Sequence, residues 1–114
     1  MEVTETKRGK ATVLAVKGRL DTAASNALQE RWLGRIQEGD RWFVLDGSEL
    51  AYVSSSGLRI ILLAAKRLRD SPGGIAVCGL NPRIQQIFAV TGFEKLFPIR
   101  DSLNDALQAL EELA

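Results

Sequence analysis

The chain has 114 residues, and its 15 basic and 14 acidic side chains give a formal charge of +1, without the clustered basic excess that nucleic-acid binders carry. It contains no histidine and one cysteine, Cys78, so the commonest general base and metal ligand are missing and an intramolecular disulfide is excluded. With 46% hydrophobic and 25% charged residues, no membrane-length apolar run and no signal-peptide core, it is expected to form one cytoplasmic domain over residues 1–114.

Residues 2–7 alternate weakly in polarity and predict an exposed strand. After a turn at Arg8-Gly9-Lys10, the apolar, β-branched Ala11–Lys17 predicts a strand nearer the core, paired with the first as a hairpin. Gly18-Arg19-Leu20-Asp21-Thr22 breaks the pattern. Asp21 or Thr22 then caps a helix whose Ala24, Leu28, Trp32 and Ile36 recur every four residues, and Gly39 ends it. Arg41–Asp46 is short and nearly all apolar, as a strand buried on both faces is. A loop with three consecutive serines follows, and then a helix from about Ser56 to Arg69. Its Leu58, Ile61, Leu62, Ala65 and Leu68 trace an inward stripe, widened by Ile60 and Leu63. Lys66, Arg67 and Arg69 read most simply as its solvated face.

A turn at Ser71-Pro72-Gly73-Gly74 leads to a second buried strand, Gly74–Gly79, in which Cys78 acts as a small hydrophobe. Asn81-Pro82 opens a helix carrying Ile84, Ile87, Phe88 and Val90, closed by Gly92. Phe97-Pro98-Ile99 is a short extended piece, and Ser102 caps a last amphipathic helix through Leu103, Ala106, Leu107, Leu110 and Leu113. Strands alternating with helices after a hairpin predict an α/β domain. Its mixed sheet has four to five strands, partly parallel with an antiparallel edge, and about four covering helices.

The chemistry open to these residues is narrow. A nucleophilic serine needs a base, and no histidine supplies one; the G-x-S-x-G elbow is also absent, since Val53 stands where its first glycine belongs. Gly9-Lys10 lacks the upstream glycine of a phosphate loop, and no G-x-G-x-x-G occurs. No enzymatic activity, cofactor or metal is therefore expected. The stretch Val53-Ser54-Ser55-Ser56-Gly57-Leu58 stands out instead. A serine at a helix start is a preferred cap, yet the free N–H groups and the helix dipole there also suit an anion such as a phosphate carried by a serine.

Gly18-Arg19-Leu20-Asp21, Val44-Leu45-Asp46, the serine stretch, Asn81-Pro82-Arg83, Thr91-Gly92-Phe93 and Leu96-Phe97-Pro98-Ile99 occur in this order and spacing across the whole chain. Together they resemble a STAS domain of the bacterial anti-sigma factor antagonist family. The resemblance implies a cytoplasmic protein that binds an anti-sigma factor serine kinase and so frees a sigma factor, with no nucleic acid bound and no membrane insertion. It also implies that the kinase ends the interaction by phosphorylating a serine or threonine two residues before the glycine, which falls on Ser55. The residue before the acceptor, commonly aspartate in the family, is here Ser54. The partner-binding face is expected to include Asp21, Ser54, Ser55, Ser56, Gly57 and Arg59, with Gly57 keeping the surface beside the acceptor low. Similar STAS proteins serve instead as unswitched accessory subunits of lipid-transporting ABC systems or as scaffolds of sensory assemblies. Ser55-Ser56 favours the switch.

Overall fold

The computed structural model describes residues 1–69 and 72–114. The expected turn residue Ser71 lies outside them. Five strands form one sheet in the order β1-β2-β3-β4-β5: β1 (Glu2–Arg8), β2 (Ala11–Leu20), β3 (Trp42–Val53), β4 (Gly74–Cys78) and β5 (Ile99–Arg100). β1 pairs antiparallel with β2, and every later pairing is parallel. The helices are α1 (Thr22–Gln37), α2 (Ser55–Arg69), α3 (Pro82–Thr91) and α4 (Leu103–Leu113). The expected mixed sheet with four helices is present.

The two faces carry separate cores. Leu28, Trp32 and Ile36 of α1, Ile60, Ile61, Ala64 and Leu68 of α2, and Ile84 and Phe88 of α3 pack on Leu14, Val16, Phe43, Leu45 and Val77 of the sheet. Phe93 and Phe97, which follow α3, extend this core: Phe93 stacks edge to face on Phe88, and Phe97 on Phe93. On the opposite face Ala106 and Leu110 of α4 cover Val13, Val44, Ala76 and Cys78.

Two strands run further than their sequences suggest. β2 continues through Gly18-Arg19 to Leu20, because Gly18 adopts φ +98°, a conformation open to glycine, inside the strand. β3 does not stop at Asp46 but reaches Val53. Its pairing with β2 slips twice, between Ala15 and Lys17 and between Gly18 and Arg19, and each slip places an extra β3 residue opposite β2. Each such bulge flips the side on which the following residues point. Phe43, Leu45, Leu50 and Val53 therefore all reach the same core, although their numbers do not keep a period of two.

The inward face of α2 is also turned from the expected stripe. Gly57, Ile60, Ile61, Ala64 and Leu68 are buried; Leu58, Leu62 and Ala65 are half-buried at its flanks, and Leu63 is 40% exposed.

Candidate functional site

β2 and β3 end in register, Leu20 beside Val53, and Ser54 N–H donates to the Leu20 carbonyl at 2.9 Å. The next residue on each strand opens a helix. Asp21 Oδ1 accepts from Ala24 N–H at 2.9 Å and so caps α1. Ser54 Oγ accepts from Gly57 N–H at 3.1 Å while its carbonyl accepts from Leu58 N–H, which makes it the cap of α2. Two helix N-termini with their free N–H groups thus stand side by side at one edge of the sheet. The N-terminus of α3 follows after β4 on the same edge; its cap Asn81 accepts from Ile84 N–H and donates to the Leu50 carbonyl.

The three serines are not equivalent. Ser54 is half-buried and engaged as the cap, and Ser56 is half-buried in the first turn. Ser55, the first residue of α2, is exposed, and among the described residues no hydrogen bond holds its hydroxyl. One turn on, Arg59 is exposed on the same side of the helix.

Gly57 has a different duty from the one expected. It is buried, and a Cβ there would come within 2.9 Å of Leu20 Cγ and Val53 Cγ2. The missing side chain lets the start of α2 lie against the ends of β2 and β3, which fixes where Ser55 emerges; it does not lower the outer surface. Asp21, Ser54, Ser55 and Arg59 therefore share this edge, with Gly57 beneath it. Sequence reasoning passed over two neighbours, Arg19 and Tyr52. They pair across β2 and β3 just before the caps, and the guanidinium of Arg19 lies 4.2 Å from the centre of the Tyr52 ring, which is itself 40% exposed. The signal was an aromatic two residues ahead of a serine run.

Asp46, expected at the mouth of the loop, lies within β3, where its backbone stands in register with Cys78 of β4; its carboxylate accepts from Ser48 N–H at 3.0 Å. Among the described residues no group of three or more His, Cys, Asp or Glu side chains is gathered as metal ligands would be, and no helix is long and apolar enough to cross a membrane.

The STAS domain profile matches residues 2–106, and the chain belongs to the STAS domain family. BtrV of Bordetella bronchiseptica, provisionally named an anti-sigma factor antagonist, is 32% identical over 111 residues, spanning 97% of this chain and 96% of its own. The crystal structure of an anti-sigma factor antagonist from Mycobacterium paratuberculosis superposes with a TM-score of 0.89 at 24% identity, over 96% of this chain and 93% of that one. The phosphorylated form of the Bacillus cell fate determinant SpoIIAA has the same fold, with a TM-score of 0.76 at 16% identity over 94% of this chain and 97% of its own.

Proposed function

We propose that this protein is an anti-sigma factor antagonist: it binds an anti-sigma factor kinase, thereby frees a sigma factor, and is released when that kinase phosphorylates Ser55. The observation that carries the proposal is the exposed, unbonded hydroxyl of Ser55 beside a neighbour already engaged as the helix cap. The likeness to BtrV over nearly the full length of both chains supports the same class, and the SpoIIAA fold tolerates a phosphate.

The chemistry belongs to the kinase. The Ser55 oxygen attacks the γ-phosphorus of ATP, the bond to the β-phosphate oxygen breaks with ADP leaving, and the hydroxyl proton passes to a base on the kinase. The product carries about −1.5 to −2 charge at a helix start, where the dipole favours it by about 0.3–1 kcal/mol. The fold is accordingly undisturbed, and the charge acts at the interface. A hundredfold loss of affinity needs only about 2.8 kcal/mol, within the several kcal/mol that mismatched interfacial charge costs.

The test is phosphate transfer from ATP by the kinase of the same host, mapped by mass spectrometry and paired with calorimetry. Ser55→Ala should keep affinity and block incorporation. Ser55→Asp should lose affinity at nearly unchanged melting temperature. Phosphate on Ser54 or Ser56 would refute the assignment of the acceptor. Incorporation into none of the three would leave the serines as a cap and favour the unswitched accessory-subunit reading.

A further inference from the structure

At the starts of β2 and β3, the end of the sheet away from Ser55, one row of residues crosses four strands. Arg8 pairs with Ala11, Ala11 with Trp42, and Trp42 with Gly74. Residues paired across strands share a face. Ala11 and Trp42 belong to the core beneath α4, so the whole row points to the α4 side. Its side chains are uneven. The Ala11 methyl stands short between Arg8 and Trp42, and Gly74 has no side chain at all. The Trp42 ring lies over Gly74, with Cζ3 3.4 Å from where a Cβ would stand, and Leu113 closes that side at 3.7 Å.

Over Ala11 a hollow of about 480 Å³ remains, walled by Trp42 and by Leu107 and Leu110 of α4. This is the size of an ordinary small-molecule site, and such sites combine apolar walls with a few placed polar groups. Here the polar groups lie on the hairpin side. Arg8 and Lys10 rim the hollow, both exposed, and among the described residues neither side chain has an ion-pair partner. Lys7 and Lys17 of the same hairpin differ, being held by Asp40 and Glu49 at 3.3 and 3.7 Å. Glu111 of α4 is the one acidic side chain in the lining.

We propose that this hollow binds a medium-chain fatty acid. The hydrocarbon chain lies over Ala11, between Trp42 and the α4 leucines, and the carboxylate is held by Arg8 and Lys10. Aliphatic and indole walls favour a hydrocarbon over a sugar or a nucleotide, which would leave its polar groups without partners there. Two unpaired cations against one carboxylate favour an anionic head over an ammonium group. A second copy of this chain fits less well, because a two-fold contact across the hollow sets the Arg8-Lys10 turns of both copies against each other. Binding here stands apart from the serine edge, which lies at the other end of β2 and β3.

Decanoate, kept below its micelle concentration, is titrated into the isotope-labelled protein, with decanol as the uncharged control. The Trp42 indole proton and the amides of Lys10, Leu107 and Glu111 should shift saturably, and those of Ser54 to Gly57 should stay in place. Arg8→Gln combined with Lys10→Gln should weaken decanoate roughly fivefold or more and leave decanol unchanged. Glu111→Gln should tighten decanoate, and added sodium chloride should weaken it, since exposed charge pairs are screened. Ala11→Leu should fill the hollow and abolish binding of both; where that variant fails to fold, the charge variants decide alone. An absent or unsaturable response overturns the proposal, as does decanoate binding equally to native and charge-neutralised protein. Dimerisation that buries Leu107 and Leu113 and shuts out the acid would give the hollow to a second copy. Binding of phosphatidylglycerol vesicles without a response to the free acid would give it to a membrane surface, and either result refutes the fatty-acid site.

Discussion

At Ser54 the hydroxyl oxygen meets an otherwise unpaired N–H of α2, whereas at Ser55 the hydroxyl meets solvent. Stability and switching should separate accordingly. Ser54→Ala should cost about 0.5–2 kcal/mol in urea unfolding, as lost caps do, while Ser55→Ala should stay within about 0.5 kcal/mol. Equal costs at both positions would mean the cap is shared. Cys78 makes a different single-residue case. It is 1% exposed, and burial, followed by the nearby Asp46 carboxylate, pushes its thiol from 9.0 up to about 12. The folded state therefore holds the thiol neutral where the unfolded chain ionises it. This preference leaves stability untouched below about pH 9 and lowers it as pH rises from 9 towards about 12. Thermal melts taken from pH 8.5 upward should fall more steeply for the native protein than for Cys78→Ala, and iodoacetamide should label Cys78 only after unfolding. Parallel curves, or rapid labelling of the folded protein, would contradict the burial.

Among the elements, α2 shows why pattern alone chose the wrong neighbours. Leu58, Ile60, Ile61, Leu62 and Leu63 are all apolar, and with Arg59 alone interrupting them they surround the helix. A period of 3.6 cannot select a face from such a run. What fixes it is Gly57, where a Cβ would come within 2.9 Å of Leu20 and Val53, so that its bare backbone lies against both. Ile61 is consequently 0% exposed and Leu62 half-buried. Ile61→Ala should cost about 2–5 kcal/mol and Leu62→Ala less than about half as much; the reverse order in chemical denaturation would show the helix to be rotated from this placement. β3 was illegible past Asp46 for a related reason. Two bulges reset its alternation, and Gly47, Ser48 and Glu49 look like a loop to any reading based on period. The helix starts, by contrast, were legible: Ser102 was expected as a cap and Asp21 as one of two candidates with Thr22, and Asp21, Asn81 and Ser102 each accept from the N–H three residues on, a local chemistry that needs no tertiary information. For the same reason the serine run could be placed at a helix start, although which serine serves as the cap depended on the backbone.

Across the whole molecule, the parallel strands put the caps of α1, α2 and α3 at one edge, while α4 covers the other face of the sheet and Leu110 packs there on Val44 and Ala76. Function and stability can then be perturbed independently. Leu110 is 4% exposed and takes no part in the serine edge, so Leu110→Ala should destabilise by about 2–5 kcal/mol through the cavity it leaves. Per folded molecule, its affinity for the kinase proposed as partner should match the wild type, because the sheet stands between α4 and α2 as a packed, stiff layer. Ser55→Asp is expected to do the opposite, leaving the unfolding midpoint in place and weakening the complex. Melting curves and titration calorimetry on the two variants side by side decide the matter. A Leu110→Ala protein that is fully folded at the assay temperature yet binds as poorly as Ser55→Asp would show that the two faces are coupled through the sheet, and that the docking edge extends beyond the helices named here.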